Sequence, residues 1–261
     1  MRDPGLARAI DKAGGVAELA RKIGIAQPSV SNWSRVPAQR VIAVEAATGI
    51  SRRELRPDLY DESGFAVPDH AVDPVDAARA HQYLLLSSLL SAPPSKKLLG
   101  AIATLGGDDT HLGRAHAALA EAAQVAVAAN VEREYFDLFI GVGRGEILPY
   151  ASYYLTGFLH ERPLARLRGD LIAFGIERAE NNPEPEDNAA TLCEIMAGFA
   201  DGRFDATEEQ QRKFFEKHIA PWMGRMFADL ETAEAAKFYR SVGTLGRLFL
   251  EIETEAFKFA N

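Results

Sequence analysis

An acidic stretch in the second half of the chain carries the side chains best suited to binding a charged partner. In NPEPEDNAATLCEIM, which begins at residue 182, three carboxylates and two prolines precede an apolar, helix-forming run. Carboxylates accept forked hydrogen bonds from guanidinium groups, and prolines stiffen the backbone, which lowers the ordering cost of binding. The stretch is therefore a candidate binding lip for a cationic partner. Its members are Glu184, Glu186, Asp187, Pro183 and Pro185.

Helix capping is the alternative role for the same acids. Asp187 directly precedes the helix-forming run, where an N-cap side chain accepts hydrogen bonds from the first free backbone N–H groups. Acids in this position also stabilise the positive end of the helix dipole. Because both roles can coexist, the sequence leaves both open.

Motifs of the common catalytic and metal sites are missing from the sequence. The loop GVGRGE (residues 141–146) follows a predicted helix instead of a strand and lacks the GK[ST] of a phosphate-binding loop. The sequence contains no HExxH, no GxSxG and no paired cysteines. Cys193 lies in the apolar run TLCEIM, which predicts a buried, inert thiol. We predict no catalytic residue, metal ligand, cofactor or nucleotide site, and an α-helical enzyme stays open only because motif absence is weak evidence.

Charge divides unevenly along the 261 residues. Residues 1–60 contain ten Lys and Arg against six Asp and Glu, a net charge of +4, whereas the other 201 residues carry −12. Such asymmetry indicates halves with different partners, a polyanion for the first and a cationic group for the second. An acidic surface that aids solubility is the simpler alternative for the second half.

Targeting and membrane signals are also missing from the sequence. The start MRDPGLARAI lacks the basic and apolar regions of a signal peptide. The longest strongly apolar patch, YLLLSSLL, is far shorter than the roughly 18 residues needed to span a membrane. A single cysteine excludes an internal disulfide and fits a reducing compartment. We expect a cytoplasmic protein without membrane insertion.

Helical periodicity dominates the chain, and no convincing run alternates with the period of a β-strand. Residues 61–76 combine Pro, Gly and acids with little periodicity, which is typical of a linker. The predicted fold class is all-α, with a small helix–turn–helix bundle at residues 1–60 and a larger all-helical domain at residues 77–261. The helices predicted in the larger domain span residues 77–91, 96–105, 111–127, 131–140, 150–159, 162–174, 187–199, 208–218, 220–230 and 233–257.

The segment GGVAELARKIGIAQPSVSNW near the N-terminus has the pattern of a helix–turn–helix. A first helix starts at Val16, and Gly24 supplies the sharp turn that a residue with a β-carbon resists. Pro28 lies in the first turn of the next helix, where its missing N–H costs little. Val30 and Trp33 then point to the core.

This segment resembles the Cro/repressor-type, YdaS-like helix–turn–helix, and the resemblance covers roughly residues 5–60. It implies a recognition helix in the major groove, where Gln and Asn pair with adenine and discriminate by about 1–3 kcal/mol. The expected DNA-binding residues are Gln27, Pro28, Ser29, Ser31, Asn32 and Arg35. Candidate phosphate contacts are Arg21, Lys22, Arg35, Arg40, Arg52 and Arg53. The alternative is a module for protein contact or dimerisation, because the recognition helix has no Lys or Arg before Arg35.

Two segments of the larger domain resemble the TorD/DmsD family of redox-enzyme maturation chaperones. In residues 132–157, EREYFDLFIGVGRGEILPYASYYLTG, a helix leads through a loop to a Pro-Tyr-x-Ser-x-Tyr-Leu motif. In residues 183–199, PEPEDNAATLCEIMAGF, a Glu-Pro-x-Asp motif precedes a helix. The matching positions are Tyr135, Leu138, Phe139, Gly141, Pro149, Tyr150, Ser152, Tyr154, Leu155, Glu184, Pro185, Asp187 and Met196. The resemblance covers residues 77–261.

The resemblance implies a chaperone, not an enzyme, that holds a molybdopterin-dependent oxidoreductase before its cofactor is inserted. Such chaperones bind the twin-arginine leader or the apo catalytic subunit, and formate dehydrogenase is one candidate client. The implied client-binding residues are Tyr150, Ser152, Tyr153, Tyr154, Glu184, Pro185, Glu186, Asp187 and Asn188. Asn188 stands where the family pattern has His; Asn can cap a helix but cannot become cationic near neutral pH.

The fusion of the two domains suggests that client occupancy changes DNA binding and so links client supply to transcription. Such coupling requires the client to bind one DNA-affinity state better than the other. The main alternative is a one-component transcription regulator whose acidic helical domain binds a small effector.

Overall fold

The computed structural model describes residues 2–57, 73–177 and 184–259, and every regular element within them is helical. The predicted all-α fold class is confirmed. One isolated antiparallel β-bridge joins Tyr150 and Asn188. The helices are α1 (Pro4–Ala13), α2 (Val16–Lys22), α3 (Gln27–Asn32), α4 (Val41–Thr48), α5 (Arg52–Leu55), α6 (Pro74–Ser91), α7 (Lys96–Ile102), α8 (His111–Gln124), α9 (Ala128–Tyr135), α10 (Ala151–Thr156), α11 (Arg162–Ala173), α12 (Ala189–Ala200), α13 (Glu208–His218), α14 (Met223–Thr232) and α15 (Phe238–Phe259), with a 3-10 turn (Ala38–Arg40) and a π-helical turn (Phe136–Ile140).

The chain divides into two compact units. The first contains Met1–Ala78, Gly169–Glu180 and Gly198–Ala206, and the second contains Arg79–Arg168, Asn181–Ala197 and Thr207–Asn261. The first unit therefore holds the predicted helix–turn–helix region together with two later segments. Most of the predicted linker, up to residue 72, lies outside the described residues. No helix within the described ranges is long and apolar enough to cross a membrane.

The helices α1 to α5 pack around one apolar core in the first unit. Gly24 adopts the left-handed conformation with a φ of 72°, and Pro28 lies in the first turn of α3. Leu19 and Val30 are fully buried, and Trp33 is nearly so. The helix–turn–helix geometry predicted from these residues is confirmed.

The longest described helix, α15, packs against α8, α9 and α14 in the second unit. Two glycines on α15 allow α14 to approach closely. A Cβ atom at Gly243 would lie 2.8 Å from the carbonyl oxygen of Phe227, and one at Gly246 would collide with the Phe227 ring. Larger residues at these positions would force the two helices apart, because protein interiors are close-packed.

A buried carboxylate caps the N-terminus of α15. Glu134 of α9 accepts hydrogen bonds from the backbone N–H groups of Lys237, Phe238 and Tyr239, at 2.7, 3.2 and 2.7 Å. These groups have no partner within the helix, and the negative charge also complements the helix dipole. The cap comes from a residue more than a hundred positions earlier, so it joins α9 to α15.

A second buried carboxylate ties α15 to α6. Glu253, which is 1% exposed, accepts hydrogen bonds from Arg79 at 2.8 and 2.9 Å and from the Tyr83 hydroxyl at 3.0 Å. The Arg79 guanidinium also lies 5.1 Å from the centre of the Phe257 ring. Burial raises the pKa of the Tyr83 hydroxyl, and the neighbouring Glu253 charge adds to this rise, so Tyr83 stays a donor.

Local capping signals explain where two helices begin. A capping box begins α13, with Thr207 and Gln210 exchanging side-chain and backbone hydrogen bonds. The start of α6 was predicted at residue 77 and lies at Pro74. The Asp73 side chain accepts from the Val75 N–H at 2.7 Å, and a proline is pre-organised for the first helical position.

We expect Glu134→Gln to lower the free energy of unfolding by about 1–3 kcal/mol, because an amide that also donates replaces a buried acceptor of three N–H groups. Urea unfolding of the full chain, followed by circular dichroism, measures the change. Glu132→Gln, on the exposed face of the same helix, is the matched control and should shift stability by less than about 0.5 kcal/mol. Equal losses in the two variants would contradict the capping role.

Candidate functional site

The two segments singled out in the sequence meet through backbone hydrogen bonds. The Ala151 N–H donates to the Asp187 carbonyl at 3.0 Å, and the Ala189 N–H donates to the Pro149 carbonyl at 2.8 Å. Together these bonds form the β-bridge between Tyr150 and Asn188. The start of α10 and the segment 184–188 are therefore one structural site, which we call the lip site.

Asp187 is the buried anchor of the lip site. Its side chain is 1% exposed and accepts the Ser152 N–H at 2.8 Å. A buried carboxylate is tolerated when it is hydrogen-bonded in this way. Ser152 is equally buried, and its hydroxyl finds no partner among the described residues. In this structure Asp187 and Ser152 position the site, and neither faces solvent.

Asn188 caps α12, instead of Asp187, for which the sequence suggested this role. The Asn188 Oδ1 atom accepts the Ala190 N–H at 2.8 Å, and α12 begins at Ala189. An Asn directly before the first helical residue is a strong N-cap. The geometry at position 188 therefore fits helix capping.

Glu184 is the exposed acid of the lip site. Its carboxylate accepts a hydrogen bond of 2.6 Å from the Tyr150 hydroxyl. Burial raises the pKa of Tyr150, and the hydrogen bond to Glu184 raises it further, so the tyrosine remains a donor at physiological pH. The hydroxyl thus orients the carboxylate without neutralising its charge.

Glu186 already has a cationic partner within the second unit. Arg168 donates to its carboxylate through Nε at 3.0 Å and through a terminal nitrogen at 2.8 Å. The neighbouring Pro185 carbonyl accepts the Asn188 N–H at 3.1 Å, which tightens the turn before α12. Pro183, the other predicted stiffening residue, lies outside the described residues.

Tyr154 is held from three sides by residues at and before α14. Its hydroxyl donates to Asp229 at 2.9 Å, and its carbonyl accepts from Arg225, whose guanidinium lies 5.5 Å from the ring centre. The Trp222 ring lies 5.5 Å away. Burial raises the pKa of Tyr154, as does its hydrogen bond to Asp229. These contacts therefore hold the Tyr154 side chain in one position beside the site.

Tyr153 points to a different partner. Arg144, on the loop before α10, donates to the Tyr153 hydroxyl at 2.9 Å and places its guanidinium 5.3 Å from the ring centre. Both residues retain exposed surface. Tyr153 thus makes a hydrogen bond and a cation–π contact with one side chain of its own chain.

Four charged residues of this site were not identified from the sequence: Arg144, Arg168, Arg225 and Asp229. They lie on other helices or loops, and each reaches the site through a tertiary contact. The spacing of Arg225 and Asp229, four residues apart on one helix, was a usable signal that the two share a face.

The remaining motif positions belong to the core and the loop around the site. Leu138 and Met196 are fully buried, and the Tyr135 hydroxyl donates to the Leu90 carbonyl at 3.2 Å. Gly141 has a φ of 63°, and a Cβ there would collide with the Arg144 carbonyl. Some motif positions therefore form the core or a tight turn, and others lie at the lip site.

Cys193 is an inert core residue, as predicted. It is fully buried, and burial raises the pKa of its thiol to about 12. Within residues 2–57, 73–177 and 184–259, no group of three His, Cys, Asp or Glu side chains is arranged to hold a metal ion.

The predicted DNA-contacting face of α3 is open. Gln27, Pro28, Ser31 and Asn32 are exposed, and Ser29 is half-buried. The Ser31 hydroxyl donates to the Gln27 carbonyl at 3.1 Å, so it is partly committed to its own helix.

Several candidate phosphate contacts already pair with carboxylates of the first unit. The ion pairs are Arg35–Asp205, Arg40–Glu177, Arg21–Glu18 and Arg52–Glu45. Partly exposed ion pairs of this kind contribute only about 0–1 kcal/mol. A phosphate could therefore replace these carboxylates at little cost.

Comparison with known proteins agrees with both resemblances. Residues 106–228 match the family model described as nitrate reductase delta subunit, and residues 6–63 match the model described as bacterial toxin YdaS. The chaperone protein TorD of Shewanella loihica is 24% identical over 70% of this chain and 94% of its own length. TorD of Vibrio cholerae is 26% identical over 45% of this chain and 58% of its own length.

A solved structure from Archaeoglobus fulgidus, described as that of a redox enzyme maturation protein, has 22% identity and a TM-score of 0.44 over 66% of this chain and 93% of its own. The relatives carry the name of a chaperone and not of an enzyme, in agreement with the sequence-based prediction. The resemblances stated from the motifs are confirmed: residues 6–63 are similar to the YdaS model, residues 106–228 are similar to the nitrate reductase delta subunit model, and TorD chaperones are similar over 70% of the chain.

Proposed function

We propose that the chain is a cytoplasmic maturation chaperone for a molybdopterin-dependent oxidoreductase, and that the lip site binds the client's twin-arginine leader or its apo catalytic subunit. The observation that carries the proposal is the exposed Glu184 carboxylate, which the Tyr150 hydroxyl orients on a lip anchored by buried Asp187. Because the carboxylate is already oriented, less conformational entropy is lost when it binds a guanidinium.

Some residues of the lip site contact the client, and others hold the backbone of the site in place. Glu184, oriented by the Tyr150 hydroxyl, accepts a client guanidinium, and at Glu186 a client guanidinium competes with Arg168. The buried side chains of Asp187 and Asn188 fix the backbone of the lip site through hydrogen bonds from the Ser152 and Ala190 N–H groups. Pro185, Ser152 and the neighbouring backbone fix the turn to which these side chains belong.

Exposed apolar side chains lie near the end of α10, the helix whose start belongs to the lip site. Leu155, Phe158 and Leu159, at and after the end of α10, are 43%, 70% and 40% exposed. Exposed apolar patches beside polar residues mark interaction surfaces, and α10 connects these side chains to the lip through the bridge between Tyr150 and Asn188. They complement a leader, in which adjacent arginines precede an apolar run. Formate dehydrogenase remains one candidate client.

The competing function is a transcription regulator whose helical domain binds a small effector. Its strongest support is the YdaS-like match combined with the open α3 face. The two functions differ in what the second unit retains, a polypeptide or a small molecule.

We expect the immobilised full chain to retain one molybdoenzyme catalytic subunit from a lysate of its own organism. Glu184→Lys should lower this capture about tenfold or more, because it removes a charge-assisted hydrogen bond and adds a like charge. Mass spectrometry with isotope-labelled standards quantifies the retained subunit. Glu132→Lys, on the exposed face of α9, is the matched charge-reversal control and should retain the client.

Two results would contradict this prediction. Equal capture by the two variants would leave the chaperone function in place and return Glu184 to a structural role. If the wild-type chain retains no oxidoreductase, the effector-binding regulator becomes the better proposal.

We also propose that α3 reads DNA through Gln27 and Asn32. Each change to Ala should weaken binding to a selected site by about 5- to 150-fold, the equivalent of 1–3 kcal/mol, and leave non-specific binding unchanged. The site is first selected from a random duplex library, and affinities are then measured by fluorescence anisotropy at fixed salt. Arg53→Gln is the control and should weaken specific and non-specific binding alike. If the wild type selects no sequence, α3 is a protein-contact module.

The coupling hypothesis is tested in the same anisotropy assay. Saturating client should shift the affinity for the selected site by about 5- to 150-fold, the usual range of allosteric coupling. An unchanged affinity would show that the two domains act independently.

A further inference from the structure

Of the three tyrosines in residues 150–154, Tyr153 is the one whose hydroxyl contacts a guanidinium and not a carboxylate. Tyr150 donates to Glu184 and Tyr154 donates to Asp229. The Tyr153 hydroxyl instead accepts from Arg144, whose guanidinium also lies 5.3 Å from the ring centre. The side chain therefore uses both its polar atom and its π-face to bind one arginine.

The two neighbouring tyrosines differ in how firmly they are held. Tyr154 is fixed by Asp229, Arg225 and the Trp222 ring. Tyr153 meets Tyr154 edge-on, with ring centres 5.8 Å apart and an interplanar angle of 88°. This arrangement leaves a face of the Tyr153 ring for a cation.

Arg144 extends from a loop whose base is fixed and whose tip is exposed. The N–H of Ile147 donates to the Leu138 carbonyl at 2.7 Å, which closes the base. At the tip, Val142 and Arg144 are exposed, and Gly143 adopts a φ of 89° with no neighbour within 4 Å of a Cβ position. Among the described residues, no carboxylate forms an ion pair with Arg144. Its guanidinium can leave Tyr153 without breaking the fold.

Tyr150 is the N-cap residue of α10 and has an extended backbone, and Tyr153 lies in the helix that follows it. The first orients the Glu184 carboxylate, and the second offers an aromatic face. A bound peptide with two adjacent arginines would thus have a carboxylate oriented by Tyr150 and the aromatic ring of Tyr153 as contacts from one short segment of the chain.

We propose that Tyr153 is a guanidinium-binding subsite, which Arg144 fills in the free chain and a client arginine fills in the complex. The inference rests on the proposed function and names the chemistry of one of its contacts. A guanidinium suits the subsite better than an ammonium does, because it is planar, stacks on aromatic rings and is more weakly hydrated. Arg144 then acts as an internal competitor that disfavours clients without arginine.

The test uses the full chain and a synthetic peptide with two adjacent arginines followed by an apolar run, titrated by calorimetry. Arg144→Gln should tighten binding by about two- to fivefold, the factor that corresponds to an exposed cation–π contact. The same peptide with two lysines should bind more weakly and gain less. Arg133→Gln, which removes an exposed charge from α9, controls for the general loss of positive charge.

A double-mutant cycle separates the subsite from other effects of Arg144. In the Tyr153→Leu background, peptide binding should weaken, and Arg144→Gln should no longer tighten it. Tyr153→Phe, which keeps the ring, should retain most of the gain and guards against a misfolded Leu variant.

Three outcomes would overturn the inference. In the first two, the wild type binds the arginine peptide, but Arg144→Gln leaves the affinity unchanged or weakens it. In the third, the control Arg133→Gln tightens binding as much as Arg144→Gln does. Each of these would remove the subsite and leave the proposed function standing. If wild type and all variants fail to bind the peptide, leader recognition and the subsite fail together.

Discussion

The buried hydrogen bond between the Asp187 carboxylate and the Ser152 N–H is the constraint on which the candidate site depends. Water is excluded from this carboxylate, so its charge has to be satisfied by the protein. The backbone bonds on either side, from Ala151 to Asp187 and from Ala189 to Pro149, hold the two segments in one register. The exposed lip residues keep their positions because this interior bond fixes the backbone beneath them.

The same device recurs elsewhere in the second unit. Glu134 caps α15 from α9, and Glu253 receives Arg79 and Tyr83 from α6. The net charge of the acidic part of the chain counts every Asp and Glu as if it were exposed. Glu134 and Glu253 are buried, so the negative charge available to a partner is smaller than that count suggests. Truncating such a group leaves its donors unpaired, which costs far more than losing a surface ion pair.

Arginines determine how much of the remaining acidic and aromatic surface is open to a ligand. Arg168 pairs with Glu186, Arg144 contacts Tyr153, and the Tyr150 hydroxyl donates to Glu184. The proposed cationic ligand would meet the oriented carboxylate of Glu184, the Glu186 carboxylate that Arg168 also binds, and the Tyr153 ring that Arg144 must first leave. Exchange of one guanidinium for another preserves the number of hydrogen bonds, so the cost of displacement is small.

What the sequence determined by itself is local. Gly24 sets the turn before α3, Pro28 starts that helix, and the pair Thr207 and Gln210 caps α13, because each of these features depends on a residue's own backbone preference or on partners within one turn. The helical period likewise predicted the all-α class and most helix positions. The motifs also predicted that both segments of the lip site take part in client binding.

What only the tertiary structure decided is which polar groups are buried and what each one meets. Asp187 and Glu186 are adjacent acids in the sequence, yet one is enclosed and the other pairs with Arg168, since burial depends on contacts between residues far apart in the chain. The cap of α12 fell to Asn188 for the same reason: the bridge to Tyr150 sets where the helix begins. The contact of Arg144 with Tyr153 depends on the path of a glycine-bearing loop, and side-chain spacing along one element does not specify that path.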